Sequence, residues 1–399
     1  MKKSMLTHTF GLAVAASLLW TAPVTAQTKV GILLGFTGPI ESLTPEMANS
    51  AELAMREASD SGAFLGGQKL EAVRADSTCV DAAAATAAAE RLVTSEKVVG
   101  IMGADCSGVT IAVVNNVGVP NGVTMISPSA TSPALSTIDD KGYFFRTAPS
   151  DARQGQVLAQ VAYERGVRNV AITYTNNDYG KGLSNSFGAA FQALGGRIAA
   201  EVPHEDGKAD YSAEVASLDA AGADILAVFG YVDQGGIRMM QASLDAGAFE
   251  TFIFADGMVG DSLLANIDGD LSGSFGTAPG SESASAKGFI SLAQSKGLDP
   301  NGPFRGESYD AAALMILAMQ AAGSTDRAAL ASKVMSVANA PGEKIQVGEL
   351  AKGLKALASG RDIDYVGATD VEFTSAGEAA GSYKELEIGN GAFNTVRFR

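Results

Sequence analysis

IMGADCSGVTIAVVNNVGVPNGVTMISPSATSPAL, residues 101–135, decides how this chain folds. An apolar strand ends at Met102-Gly103, and the Cys106-Ser107-Gly108 turn opens a helix from about Ser107. A second strand, Val123 to Ile126, runs into Ser127-Pro128-Ser129-Ala130-Thr131, which opens another helix or turn. Two strand ends therefore lie close in sequence, each followed by hydroxyl side chains and fresh backbone N–H groups. Helix N-termini carry unpaired N–H donors and a partial positive charge. Two such ends side by side make a carboxylate trap that needs no Lys or Arg. The competing reading is that Ser107 and Thr131 are ordinary N-caps.

Outward from this stretch, short β-rich runs alternate with Ala-rich helical patterns. Strands are expected at 29–35, 69–75 and 98–102, with helices at 45–58 and 81–95 between them. The rhythm breaks near Thr147-Ala148-Pro149 and restarts. Helices then fall at 152–164, 179–194, 211–220 and 234–245, and strands at 170–174, 197–202, 225–229 and 252–254. Near-continuous apolar strands between helices call for parallel sheets covered on both faces. The strands are too many for one ordinary sheet. The fold class is therefore α/β, with two Rossmann-like lobes joined by a hinge of several crossing segments. The first lobe is expected to hold 27–147 and 280–362, the second 148–279 and 363–399. Residues 341–362 read as an insertion with its own helix, 350–358. A hinge between such lobes puts a cleft at the strand C-termini.

The N-terminus begins Met1-Lys2-Lys3, continues through an apolar run from Phe10 to Trp20, and reaches small residues at Thr25-Ala26. That pattern is a secretory signal, residues 1–26, cut after Ala26. Its removal takes two lysines and no acid, moving the net charge from −15 to about −17. Such acidity disfavours nucleic acid and anionic membrane as partners. An exported chain with two cysteines, Cys79 and Cys106, suggests a disulfide. His204 is the one histidine left after signal removal, so neither a Cys–His nucleophile nor a transition-metal site is well served. No metal or cofactor is expected.

Several pieces, weak singly, are specific in their order and spacing. They are Val30-Gly31-Ile32 through Gly38-Pro39-Ile40, Cys79, Cys106-Ser107, Met125 to Pro133, Phe145-Arg146-Thr147, Asp178 to Gly182, Phe229-Gly230-Tyr231 and Phe373 to Glu378. Together they resemble the periplasmic Leu/Ile/Val-type binding proteins, the extracytoplasmic receptors of amino-acid ABC importers. The resemblance implies the type I periplasmic binding protein fold, a soluble monomer in the periplasm, a small amino-acid-like ligand and an inner-membrane ABC permease as partner. It also implies site roles. Ser107 and Thr131, with Ala130 between Thr131 and Ser129, grip the ligand carboxylate, and the Ser129 carbonyl faces the ammonium. Asp256 stands where an acid, usually Glu, neutralises the ammonium. Tyr179 and Tyr231 close over the ligand from the second lobe, and Cys79–Cys106 is the family's disulfide. Read without the resemblance, Asp256 is a surface acid and the two tyrosines are half-buried packing.

Three departures bear on the ligand. Leu43, or a neighbour, replaces a bulky aromatic. Asp105 precedes Cys106 where an apolar residue is usual. Arg305 sits where an aromatic or apolar residue is common. Asp105 and Arg305, if turned inward, favour a polar or charged ligand side chain; they equally could pair with each other or face solvent. A ligand sensor signalling to a membrane receptor would use the same residues. A nicotinamide-dependent enzyme is the third reading, but Gly35-Phe36-Thr37-Gly38 is not G-x-G-x-x-G and no P-loop motif occurs.

Overall fold

The computed structural model describes residues 27–399. The expected signal segment, 1–26, lies outside the described residues.

The N-terminal strands are β1 (Gln27–Leu34), β2 (Lys69–Asp76), β3 (Gly100–Gly103), β4 (Thr124–Ser127) and β5 (Phe144–Pro149). After them come β6 (Asn169–Thr175), β7 (Arg197–His204), β8 (Ile225–Phe229), β9 (Phe252–Phe254) and β10 (Phe275–Pro279). The C-terminal strands are β11 (Glu343–Gln346), β12 (Ile363–Gly367), β13 (Glu378–Ala379), β14 (Tyr383–Gly389) and β15 (Ala392–Phe398). Among the described residues, one sheet runs β13-β5-β4-β3-β1-β2 and another β15-β14-β10-β9-β8-β6-β7. The first is parallel throughout; the second is parallel up to β10 and then closes with antiparallel β14 and β15. Helices cover both faces, so the central strands, such as β3, β4 and β8, are buried along their whole length. The chain is thus two α/β lobes, as its alternation predicts.

The helix Arg305–Ala322 is apolar nearly all round and is buried on almost every position. It packs in the first lobe against the helices Thr44–Asp60, Arg327–Ala338 and Leu350–Ala358. A helix apolar on all faces has no solvent side and must sit inside other elements. The insertion adds β11, which pairs with β12 in a small parallel sheet of its own.

Residues 363–379 do not finish the second lobe, as their short strand-like runs suggested. Strand β13 pairs with β5, Phe373 stacks on Phe145, and Asp310 accepts hydrogen bonds from the N–H groups of Ala368 and Thr369. The chain returns to the second sheet only at β14. Burial explains the difference: Val371 and Phe373 are both buried, and Phe373 finds its aromatic partner, Phe145, in the first lobe. Strand β10 also escapes sequence reading, because Phe-Gly-Thr-Ala-Pro is short and carries both a glycine and a proline.

Three segments cross between lobes: after β5, after β10 and before β14. They are laced together, since Gly280 N donates to Ser382 O at 3.0 Å, Ser382 Oγ to Gly280 O at 2.8 Å, and Tyr383 Oη to Ser150 O at 3.3 Å. The opposite rims also touch. Asp233 N donates to Pro39 O at 3.0 Å and Ser42 N to Asp233 Oδ2 at 2.8 Å. The lobes are therefore closed on each other in this structure.

Candidate functional site

Between the lobes, at the C-terminal ends of both sheets, a cleft is lined by Ile40, Leu43, Met47, Asp105, Cys106, Ser107, Ser129, Tyr179, Tyr231, Asp256, Gly257 and Phe304. Its cavity volume is only about 20 Å³, room for about one water, so the cleft is nearly shut.

The first-lobe wall comes from the opening stretch. The helix Ser107–Val113 has Cys106, not Ser107, at its N-cap position, with no side-chain cap bond. Ser132, not Thr131, caps the short turn Pro133–Thr137. Neither hydroxyl is thus spent as an N-cap. Ser107 Oγ instead accepts the N–H of Ser132 at 3.0 Å, which draws the two strand ends together. Having accepted one bond, it keeps its O–H to donate. Ser129 Oγ donates to Asp105 O at 3.1 Å. The Ala130 N–H is committed to Ser127 Oγ at 3.0 Å, and Ala130 is fully buried, so it offers no donor to the cleft. Thr131 is buried beside this wall without lining the cleft, and its carbonyl accepts the N–H of Asp151 at 2.8 Å.

What holds this loop in shape is Arg146, quoted in the family resemblance but given no role there. Its guanidinium is 1% exposed, ion-paired with Glu378, and donates to the carbonyls of Ala130 at 3.0 Å and Ser132 at 2.9 Å. A planar fork with five donors suits two carbonyls and a carboxylate at once. The sequence signal was there: a lone arginine in the apolar run Phe144-Phe145-Arg146-Thr147-Ala148 must be paired. The Cys79–Cys106 disulfide is formed and ties the same wall to the loop after β2. Closing a loop with 27 residues of separation stabilises by about 3.5 kcal/mol in the chain-entropy view.

The second-lobe wall is acidic and aromatic. Asn177 caps the helix Asp178–Ala193 by accepting from Tyr179 N and Gly180 N at 3.0 and 3.1 Å, which sets Tyr179 at the cleft. Tyr179 stacks on Tyr231 with ring centroids 5.2 Å apart. Tyr179 Oη donates to Asp256 Oδ1 at 2.8 Å, and Gly257 N donates to the same oxygen at 2.7 Å. Asp256 Oδ2 is buried and has no partner. Burial pushes the Asp256 carboxyl up to about 6, against the lowering effect of these bonds. Asp256 is therefore a buried acid with one free oxygen at the cleft.

Asp105 and Arg305 do not pair with each other. Asp105 lines the cleft, but Gly35 N at 2.5 Å and Ser77 Oγ at 2.7 Å occupy its two oxygens, which ties β1, β2 and β3 together. Burial raises its pKa. Arg305 turns away from the cleft and bonds the Asp299 side chain at 2.6 Å. The residue that faces inward is its neighbour Phe304, whose φ of 62° breaks the approach to the helix and swings the ring to the cleft. With Arg305 out and Asp105 satisfied, the side-chain end of the cleft is Ile40, Leu43, Met47 and Phe304.

The family model described as periplasmic binding protein matches residues 27–349. The chain belongs to that family. Among curated relatives, it is 29% identical over 323 residues to Leu/Ile/Val-binding protein homolog 1 of Brucella abortus, covering 79% of this chain and 84% of the relative. The fold matches a leucine-binding protein of Thermotoga maritima with a TM-score of 0.77 at 22% identity, over 93% of this chain and 98% of that one. It also matches a solute-binding protein of R. palustris in complex with 4-hydroxybenzoate, TM-score 0.73 and 20% identity, over 94% and 97%. These are binding proteins and not enzymes, the last of them the solute-binding protein of an ABC transporter, and the family is a periplasmic one. The binding role is thus plain; the ligand and the duty of each residue are matters for the cleft's chemistry.

Proposed function

We propose that this periplasmic binding protein captures a small amino acid with an apolar side chain and delivers it to an ABC permease. The observation that carries the reading is Asp256: a buried carboxyl with a free oxygen, in a cleft whose other acid, Asp105, has both oxygens taken and whose remaining lining is mostly apolar, hydroxyl or aromatic. A buried anion in a ligand cleft is costly unless a cation meets it. A ligand ammonium does so, taking Asp256 Oδ2 and the Ser129 carbonyl. The ligand carboxylate then falls to the Ser107 hydroxyl, a neutral donor that leaves no surplus charge. Tyr179 and Tyr231 close over the polar end, while Ile40, Leu43, Met47 and Phe304 bury the side chain. Binding stabilises the closed form that the rim contacts of Asp233 already describe. An expected monomer delivers this closed form to its permease.

Calorimetry of the purified protein tests this with leucine, isoleucine, valine, 4-methylpentanoate, 4-hydroxybenzoate and arginine. The branched amino acids should bind, and 4-methylpentanoate, which is leucine without its ammonium, should lose roughly two to three orders of magnitude, as expected when a buried polar partner goes unmet. Binding of 4-hydroxybenzoate as tight as that of leucine would overturn the reading.

A further inference from the structure

The mechanism above uses one buried carboxyl, yet a second lies next to it. Asp151 is fully buried at the start of the helix Asp151–Glu164, where the first crossing segment enters the second lobe. Neither of its oxygens has a hydrogen-bond partner. The same holds for Asp256 Oδ2 and for Gln154 Oε1, one helical turn on from Asp151. Four buried acceptor oxygens thus stand in one neighbourhood without a donor among them. Carboxylate and amide oxygens only accept, so they cannot satisfy one another.

The nearby donors are committed elsewhere, with the exception of the Thr131 hydroxyl, which lies beside Asp151. The Gln154 amide nitrogen donates to Thr277 O at 3.0 Å. Tyr179 Oη serves Asp256 Oδ1, and Tyr383 Oη serves Ser150 O. From the first lobe, Arg146 is ion-paired with Glu378 and holds two carbonyls, and Thr131 sits beside Asp151 without an aligned bond. Glu307 adds a further acid facing Asp256, and Lys384 acts on Glu307. Arg146 is the cation that acts on Asp151, and it is already paired with Glu378. An ionised Asp151 with both oxygens bare, beside Asp256, would be among the most costly arrangements in the protein.

We infer that Asp151 is held as a neutral acid, a positioning residue whose O–H supplies a donor to this cluster and leaves Asp256 as the one carboxylate with an oxygen free for the ligand. One proton converts an Asp151 acceptor into a donor for a facing oxygen. It also sets the pair at a single negative charge, which one ligand ammonium balances. Burial, and next the charge of Asp256, push the Asp151 carboxyl well above the usual carboxylate range, in the same direction. The inference rests on the amine-ligand reading only for the role of Asp256; the proton on Asp151 is present without ligand.

The test joins two readouts on the whole protein. Difference infrared spectroscopy of ligand-free wild type against Asp151→Asn at pH 7 should show a protonated carboxyl band that the variant lacks. Asp151→Asn, a neutral near-isostere, should bind leucine within about threefold of wild type, since no charge is removed. If Asp151 is ionised, the band is absent and the variant shifts the affinity by more than that; either result overturns the proposal. Should the variant fold poorly, carbon-13 NMR of aspartate-labelled wild type reads the same proton directly: one buried aspartate must stay protonated at pH 7. If leucine fails to bind wild type while the band is present, the ligand reading falls and the neutral Asp151 stands.

Discussion

Lowering the pH from 7 to 5 should weaken ligand binding about tenfold, chiefly through Asp256, with Glu307, which burial pushes up to about 7, facing it and titrating in the same range. Burial holds this carboxyl at about 6, against an ordinary value of 3.8. About nine-tenths of it is then ionised at pH 7 and about one-tenth at pH 5. The ligand ammonium and carboxylate keep their charges across this range, so the loss of the protein's anion sets the slope. The bound ammonium depresses the Asp256 pKa further, so the complex resists protonation while the free protein does not; the apparent Kd rises as pH falls. The same shift acts on stability with the opposite sense. A carboxyl whose folded pKa is raised makes the fold less stable as pH climbs from 3.8 to about 6, by about 3 kcal/mol once both limits are passed. Asp256→Asn removes that cost at neutral pH. The variant should therefore melt no lower than wild type at pH 7, bind leucine roughly 30-fold or more weakly for want of a charged partner, and show a flatter pH profile. Calorimetry at pH 5, 6, 7 and 8, with melting curves beside it, gives all three. A wild-type affinity that does not change between pH 5 and 7, or an Asp256→Asn protein that keeps the slope, would refute the reasoning.

Two other substitutions probe the walls. Arg146→Met leaves Glu378 without its partner and two loop carbonyls without donors, so chemical denaturation should show a loss of about 3–5 kcal/mol, and the surviving folded protein should bind leucine more weakly because the Ser129–Ser132 loop is no longer held. Gly257→Ala puts a Cβ 2.6 Å from Gly230 O and 2.9 Å from Tyr179 Oη, forcing the Tyr179–Asp256 pair apart; calorimetry should show at least a tenfold loss of leucine affinity with the disulfide intact by thiol titration.

The two-lobe fold was legible because it is written in repeated apolar strands, a signal that many residues share. The polar walls were legible only where chain order brought their parts close. Ser107 and Ser129 stand within one stretch, so their meeting at the cleft could be foreseen, although Thr131 does not line it and Ala130 spends its N–H on Ser127. Asp256 and Tyr179 came through the family resemblance, and their bond at 2.8 Å spans 77 positions that no local pattern links. Phe304 was missed by one position in favour of Arg305, because a left-handed residue at a helix start reverses which neighbour faces inward. Asp151 was missed altogether: an acid at the first turn of a helix reads as a favourable dipole partner on a solvated surface. Only the fold reveals that this helix start is sealed between two lobes, beside another carboxyl and away from any free cation. Local sequence reports what a residue can do, while tertiary burial decides at what protonation state it does it. That is why the charge balance of this cleft, one anion for one ammonium, follows from Asp151 and Asp256 taken together and from neither alone.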